Sequence, residues 1–221
     1  MNNRGIPLVL LGAGGHARVL VALARAIGYQ IVGVCDPVLA ADAVSKWEGL
    51  EVLGDDSAIG RLAPDRVALM LGIGKVVTGN LREQIFTSWR ERGYDFPALV
   101  HPFAWVAPDV VLGSGVQVMA GAVVQPGCEV GENSIINTRA SVDHDCHIGR
   151  NVHVAPGSTL CGSIMVEDGV FIGAGATVIQ GLRIGAGAVI GSGVTLVRDL
   201  LPGMLIMGAP NRLYNAAFLQ T

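Results

Sequence analysis

The hydrophobic pattern between residues 106 and 201 repeats every six residues. An aliphatic residue occupies every sixth position from Val106 to Leu196, sixteen times without a gap. With about half of all residues apolar, chance would give such a run roughly once in 10⁵ trials. Neither a helix of 3.6 residues per turn nor a lone strand with a period of two produces this pattern. A strict period of six is typical of a hexapeptide β-helix.

The other positions of the hexad favour the same fold. Four residues after each aliphatic residue comes a second uncharged side chain, and three residues after it comes Gly, Asn or Asp in fourteen of sixteen cases. These three residue types accept the positive φ of tight turns. Each hexad therefore predicts a short strand with two inward side chains, followed by a corner. Three hexads make a triangular coil of about 18 residues, and the whole run makes about five coils.

The preceding part of the chain has a different pattern. Strands are predicted at residues 7–11, 31–35 and 67–71 and around Val52, and helices at residues 16–27 and 78–92. The second helix is predicted to face inward with Leu81, Ile85, Phe86 and Trp89. Alternation of strands and helices predicts a Rossmann-like βαβ domain with a parallel sheet. We place this α/β domain at residues 1–96 and an all-β domain, the β-helix with a C-terminal tail, at residues 97–221.

Composition narrows the class of protein. Half of the residues are apolar, but no uninterrupted apolar run reaches about 18 residues, so membrane insertion is not expected. Leu8–Leu11 runs straight into a glycine loop, unlike a secretory signal, which makes a cytoplasmic location the default. A net charge of −3 without a basic cluster argues against nucleic-acid binding. Cys128 and Cys146 share the inward hexad position and are expected to stack as small core residues.

A glycine loop at residues 12–17 separates the first strand from the first helix. Backbone N–H groups at a helix start attract phosphate. The dinucleotide fingerprint G-x-G-x-x-G is matched with Ala17 at its last position, and Asp36 follows about twenty residues later. A domain of about 95 residues is small for a dinucleotide fold, so the nucleotide of an activated sugar fits better. A loop that only makes a tight turn is the alternative.

Together, the glycine loop, the sheet and the hexapeptide repeats resemble one family over essentially the whole chain. The layout is similar to hexapeptide-repeat sugar acetyltransferases, such as the bacillosamine-pathway and perosamine N-acetyltransferases and the sialic-acid O-acetyltransferases. The resemblance implies a left-handed β-helix and a homotrimer with acetyl-CoA and active sites between neighbouring subunits. It implies nucleotide-sugar binding by Gly14, Gly15, His16, Asp36, Pro37, Ile73 and Gly74. After Gly74 the chain departs from the family, because residues 75–79 intervene where an Asn often leads straight into the helix.

Three of the five histidines lie close together in the sequence: His144, His147 and His153. The hexad pattern places His144 at a corner and the other two at outward positions, none of them in the inner core. Histidine near neutral pH can remove a proton from an attacking group. A neighbouring carboxylate, Asp145 or less favourably Asp143, can fix its tautomer. His144 and His153 flank opposite ends of one face and could converge only across a subunit boundary.

The resemblance assigns roles to these positions. Residues 142–146 match the family's pattern of aliphatic, acid, His, acid and Cys, which implies that His144 is the catalytic base. Asn137, seven residues upstream, matches an Asn of the family's site. Contacts with acetyl-CoA are implied for His153 and for the backbone near Ala174 and Ser192.

We therefore expect direct transfer of acetyl from acetyl-CoA to the amine of a nucleotide-linked sugar, a UDP-, GDP- or dTDP-4-amino-4,6-dideoxy sugar. Acetylation of a hydroxyl, as on sialic acid, is the first alternative. A zinc enzyme of the carbonic-anhydrase kind, using the three histidines, and a non-catalytic trimeric nucleotide-binding scaffold are the others. No metal is expected. The nucleotide, the sugar and the role of His147 stay open.

Overall fold

An α/β domain begins the part of the chain that the computed structural model describes, residues 5–75, 77 and 79–210. Its strands are β1 (Leu8–Leu11), β2 (Ile31–Cys35), β3 (Lys46–Trp47), β4 (Leu50–Gly54) and β5 (Ala68–Leu71). Its helices are α1 (Gly15–Ala26), α2 (Pro37–Ala41), a 3₁₀-helix (Asp56–Arg61) and α3 (Leu81–Glu91). The sheet order is β3-β4-β2-β1-β5, with only the β3–β4 pair antiparallel.

The buried stripe of α3 differs from the predicted one. Arg82, Phe86 and Trp89 are buried, whereas Leu81 is 58% exposed. Hydrophobic periodicity alone placed Leu81 inside, but the guanidinium of Arg82 takes the inner position because carbonyl oxygens accept its hydrogen bonds there. Thr78, where the helix was predicted to begin, lies outside the described residues.

A three-sided parallel β-helix follows, built from strands of two residues. The first face comprises β7 (Trp105–Val106), β10 (Val123–Val124), β13 (Ser141–Val142), β16 (Thr159–Leu160), β19 (Thr177–Val178) and β22 (Thr195–Leu196). The second face comprises β8 (Val111–Leu112), β11 (Glu129–Val130), β14 (His147–Ile148), β17 (Met165–Val166) and β20 (Arg183–Ile184). The third face comprises β6 (Leu99–Val100), β9 (Gln117–Val118), β12 (Ile135–Ile136), β15 (His153–Val154), β18 (Phe171–Ile172), β21 (Val189–Ile190) and β23 (Leu205–Ile206).

The hexad pattern accounts for this architecture. Strands one coil apart pair in parallel, as Val124 pairs with Val142, and the two inward side chains of the hexads form a continuous core. At the corners, the residue three positions after each aliphatic residue has a positive φ, except at Asp109 and Asp199. Even Arg139 and Ser163 adopt it, so the coil imposes this conformation on residues that ordinarily avoid it. The predicted fold class, an α/β domain followed by a hexapeptide β-helix, is confirmed.

The α/β domain packs on the third face. Outward side chains of that face, Leu99 and Ile135, join Met119, Leu20 and Leu23 in one apolar cluster. The outward positions of β6, β9, β12 and β15 on the third face are therefore buried. Outward side chains of the second face, such as Glu129, His147 and Met165, are exposed, and this difference determines which histidines are accessible.

Two further features complete the description. The thiols of Cys128 and Cys146 are buried inside the coils, as predicted. Strand β23 pairs with β21 and so continues the third face beyond the predicted end of the repeats at residue 201, and residues 211–221 of the predicted C-terminal tail lie outside the described residues. None of the helices in the described ranges combines the length and the apolar character needed to cross a bilayer.

Candidate active site

His144 lies at the corner between the first and second faces, with its side chain 59% exposed. Its Nδ1 is 2.8 Å from Oδ2 of Asp145, whereas Oδ1 of Asp143 accepts the main-chain N–H of His144 at 2.9 Å. Asp145, not Asp143, is therefore the carboxylate that orients the ring. The pKa of His144 is raised above its ordinary value, mainly by the hydrogen bond to Asp145 and further by the charge of Asp143.

This hydrogen bond fixes the tautomer of the neutral ring. A carboxylate only accepts, so Nδ1 carries the hydrogen and Nε2 keeps its lone pair. The backbone holds the pair from both sides, because the N–H of Asp145 donates to the carbonyl of Pro126 and the carbonyl of His144 accepts from Ser163. The arrangement can take up a proton at Nε2 while Asp145 stabilises the resulting cation.

His147 and His153 are separated from His144. His147 lies on the second face, where its Nδ1 is 3.5 Å from a carboxylate oxygen of Glu129. His153 lies beneath the α/β domain with 8% exposure. Within the described ranges no group of His, Cys, Asp or Glu side chains is arranged to hold a metal ion. A zinc site built from these three histidines has no geometric basis in one chain.

The ring of His153 is bonded on both edges. Asn137 donates from Nδ2 to Nε2 at 3.0 Å, and Nδ1 is 3.3 Å from the carbonyl oxygen of Lys75. The amide oxygen of Asn137 accepts the N–H of Thr138, which is consistent with its Nδ2 facing His153. Burial lowers the pKa of His153 to about 4. Asn137 thus contacts His153 and not His144 in the same chain, and the predicted acetyl-CoA contact of His153 stays a prediction.

All seven residues predicted at the nucleotide-sugar site line one cavity of about 550 Å³. The cavity opens where β1, β2 and β5 end, the edge of a parallel sheet at which ligands bind. Its lining includes Gly14, Gly15, His16, Asp36, Pro37, Ile73 and Gly74. Two charged side chains that the sequence reading missed, Asp56 and Lys75, also line it.

Among the described residues, the backbone N–H groups of Gly14 and Gly15 at this cavity have no hydrogen-bond acceptor. Helix α1 starts at Gly15, its N-cap Gly14 supplies no side-chain hydrogen bond, and no acidic residue lies in its first turn. Such a helix start favours an anionic group. Gly12 adopts φ +87°, and a Cβ there would lie 2.7 Å from Cγ1 of Ile73, so only glycine fits this turn.

Asp36 holds the loop rather than standing free in the cavity. Its Oδ2 accepts the N–H of Ala13 at 2.9 Å, and its Oδ1 accepts the N–H groups of Val38 and Leu39. The carboxylate is thus the N-cap of α2 and a link between the glycine loop and the end of β2. Asp36 lines the cavity, and its hydrogen bonds give it a structural role that its place in the sequence does not indicate.

Replacing Asp36 with Ala is expected to lower the free energy of unfolding by about 2 kcal/mol, because it removes a helix cap and the anchor of the glycine loop. Denaturant unfolding followed by circular dichroism measures this change. Asp42→Ala is the matched control, since Asp42 is exposed at the other end of the same helix. An equal loss of stability in both variants would contradict the assignment.

His16 has a fixed tautomer because of Gln117 on the third face. The amide of Gln117 donates from Nε2 to the carbonyl of Leu71 at 3.0 Å, so its Oε1 faces Nε2 of His16 at 2.7 Å and accepts. Nε2 of His16 therefore carries the hydrogen and Nδ1 is an acceptor. Burial lowers the pKa of His16 to about 4, which keeps the ring neutral at physiological pH.

A buried arginine links the cavity to the β-helix. Arg82 donates to the carbonyl oxygens of Leu71, Ile73 and, across the domain interface, Asn133. Burial lowers its pKa to about 9, so it stays protonated near neutral pH. Lys75 adds a second link by donating to the carbonyl of Asn151 at 2.8 Å. Neither Arg82 nor Gln117 belongs to a sequence motif. The outward positions of the third face, spaced 18 residues apart from Leu99, are mostly apolar, and this pattern indicates that the face is covered.

Comparisons with known proteins agree with this anatomy. Residues 7–88 match the family model of the PglD N-terminal domain, and residues 109–140, 127–162 and 163–198 match that of the bacterial transferase hexapeptide repeats. A histidine-to-asparagine variant of perosamine N-acetyltransferase from Caulobacter crescentus, solved with CoA and GDP-perosamine, is 36% identical, with a TM-score of 0.83 over 95% of this chain and 97% of that one. The chain belongs to the hexapeptide-repeat acyltransferase family.

Other structures of such acyltransferases match as well. The acetyltransferase domain of PglB from Neisseria gonorrhoeae, in complex with acetyl coenzyme A, is 34% identical with a TM-score of 0.83, over 91% of this chain and 96% of that one. WeeI from Acinetobacter baumannii is 26% identical with a TM-score of 0.76, over 94% and 99%. A comparison with curated proteins gave no match.

In this acyltransferase the predicted site residues occupy different edges of the β-helix. The glycine-loop cavity lies beside the third face, and His144 lies at the opposite edge, between the first and second faces. Asn137, Ala174 and Ser192 lie at a different edge, between the third and first faces. Within the described residues, one chain therefore does not bring the predicted base, the predicted cofactor positions and the cavity together.

Proposed function

We propose that this enzyme transfers the acetyl group of acetyl-CoA to the amine of a nucleotide-linked 4-amino-4,6-dideoxy sugar. The observation that carries the proposal is the pairing of two sites in one chain. One is the cavity with free N–H groups at the start of α1, and the other is the exposed, carboxylate-oriented His144. The relatives support both substrates, since one was solved with CoA and GDP-perosamine and another with acetyl coenzyme A.

His144 is the general base in the proposed reaction. The lone pair of the sugar amine attacks the thioester carbonyl carbon, and the amine proton passes to Nε2 of His144. The carbon–sulfur bond then breaks, and the thiolate leaves as the free thiol after taking up a proton, for which the imidazolium is the donor. Asp145 stabilises the transient imidazolium through Nδ1.

Direct transfer fits the chain better than a covalent acyl-enzyme. Cys128 and Cys146 are enclosed in the coils, and burial raises the pKa of Cys146 to about 12. A thiol in that state is neither accessible nor ionised. Cys161 is partly exposed, but the mechanism does not need it.

The separation of the edges favours a site shared between copies of the chain. In a closed ring of three, the first–second edge of one β-helix can face the third–first edge of its neighbour. His144 of one protomer would then meet the groove near Asn137, Ala174 and Ser192 of the next, beside that protomer's cavity. The homotrimer and the shared site are part of the proposal.

A thiol-release assay tests the function directly. The enzyme is mixed with acetyl-CoA and a panel of UDP-, GDP- and dTDP-linked 4-amino sugars, with free sialic acid alongside. CoA release with one nucleotide-linked amino sugar is the expected result and identifies the acceptor. CoA release with sialic acid alone would replace the proposal with O-acetylation. No CoA release with any substrate, from a folded oligomer, would favour the scaffold alternative.

Mixed oligomers test the shared site. His144→Asn removes the base, and Gly15→Leu fills the cavity, where a Cβ meets nothing within 4 Å. Each variant alone is expected to be inactive. Trimers carrying both chains, purified through two different tags, are expected to recover about one third of the wild-type rate, because each holds one intact pair of neighbours.

The separately purified variants, mixed without subunit exchange, serve as the control and are expected to stay inactive. Recovery in the mixed trimers also requires that both variants fold, which circular dichroism checks. Mixed trimers as inactive as either parent would place the base and the cavity of one site in the same chain.

A further inference from the structure

The imidazole of His144 lies against a glycine of the next coil. Gly162 follows His144 by one coil, and the carbonyl of His144 accepts the N–H of the neighbouring Ser163. Along this edge, the same position of successive coils is occupied by Pro108, Pro126, His144, Gly162, Gln180 and Arg198.

The backbone does not require glycine at position 162. The same hexad position recurs sixteen times in the β-helix, and Gly162 is the only glycine among the sixteen. Gly162 is not among the residues with a positive φ, which at this corner is adopted by Ser163. The other corners accommodate a Cβ at this position, so the reason for the glycine lies in what surrounds it.

The ring of His144 occupies the space that a side chain would fill. A Cβ built on Gly162 would lie 2.5 Å from both Cε1 and Nε2 of His144 and 3.1 Å from Cδ2. Carbon and nitrogen atoms that are not bonded stay more than 3 Å apart, so a methyl group and the ring cannot share this space. The exposed ring, rather than the backbone, is the part that would move.

The dyad of His144 and Asp145 lies between two glycines. On the side of the previous coil, a Cβ at Gly127 would lie 2.5 Å from Oδ1 of Asp145. Gly127 has a positive φ, so its backbone explains that glycine as well. At Gly162 the steric conflict with His144 is the only reason for glycine, and that conflict involves Nε2, the ring atom that would accept the proton.

We propose that Gly162 is a positioning residue for the base: its missing side chain lets the ring of His144 lie with Nδ1 on Asp145 and Nε2 in its reactive position. This inference rests on the proposed function, because it assumes that His144 removes the proton. Gly162 acts through the histidine in this scheme and contributes no group of its own to the reaction.

Gly162→Ala tests the inference. We expect kcat to fall about 10- to 100-fold, because a methyl group displaces the ring by about 1 Å or more. The KM for acetyl-CoA and the unfolding midpoint are expected to stay unchanged, since the ring is exposed and can swing out. The acid limb of the pH–rate profile is expected to move to lower pH, because the ring loses Asp145. Gly60→Ala, where a Cβ meets nothing within 4 Å, is the control for glycine replacement and should leave all four quantities unchanged.

A double variant separates this role from others. Adding Gly162→Ala to His144→Asn is expected to cause no further loss of turnover. A further loss in the double variant, a raised KM for acetyl-CoA with normal kcat, or wild-type turnover in Gly162→Ala would each overturn the inference and leave the proposed function intact. Normal turnover of His144→Asn alone would instead refute the base on which both depend.

Discussion

Replacing His144 with Asn is expected to lower kcat for acetyl transfer about 10²- to 10⁴-fold while the fold is retained. The side chain is 59% exposed and contributes nothing to the core of the coils, so its removal leaves the β-helix intact. Asn has no nitrogen that can accept a proton near neutral pH, so the proton of the proposed amine substrate has no acceptor in the transition state. Steady-state CoA release at saturating concentrations of both substrates measures the effect.

His147→Asn is the matched control, because His147 is also exposed and lies on the adjoining second face. It is expected to retain most of the wild-type rate. If the two variants lost activity equally, or if His144→Asn retained a rate within about threefold of wild type, a role for His144 as the base would be untenable.

Asp145→Asn bears on the same prediction. The hydrogen bond from Asp145 is the main cause of the raised pKa of His144. Its loss lowers that pKa, so the acid limb of the pH–rate profile is expected to move to lower pH while the maximal rate falls. Asp143→Asn removes a carboxylate that contacts only the main chain of His144, and its effect on the limb is expected to be smaller.

The hexad pattern predicts most of the fold because each coil of the β-helix is formed by residues that are close together in the sequence. Two side chains of each hexad point inward, and their spacing alone places the corner on which His144 lies. The same local rule explains why the dyad with Asp145 could be predicted, since the two residues are adjacent. What remained open was which carboxylate meets the ring, and the geometry at the corner resolves this in favour of Asp145.

The hexad pattern does not report what covers a face from outside. His153 occupies an outward position, yet it is buried, because residues some eighty positions earlier in the chain pack over it. The burial of Gln117 and Arg82 could not be predicted for the same reason. Each is a polar residue in its local pattern and becomes buried where the two domains meet. Their partners are mostly backbone carbonyl oxygens, which leave no trace in the identity of side chains.

The domain interface is expected to lose stability in mild acid. His16 and His153 each have a pKa lowered from 6.5 to about 4, in both cases mainly by burial. Between these two values the histidines of the unfolded chain bind protons and those of the folded chain do not. Proton binding therefore stabilises the unfolded state relative to the folded state as pH falls. The free energy of unfolding should decline from pH 6.5 to pH 4 by about 3 kcal/mol for each histidine.

Urea unfolding at a fixed protein concentration, at several values between pH 7 and pH 4.5, measures this decline. The variant that carries both His16→Asn and His153→Gln is expected to lose most of it, since neither replacement titrates in this range. His147→Asn, away from the interface, is expected to keep the wild-type pH dependence. An unchanged decline in the double variant would show that other groups, such as carboxylates, control the acid sensitivity. A weaker pH dependence of the free energy of unfolding in that variant would mean that the two neutral histidines maintain the contact between the α/β domain and the β-helix.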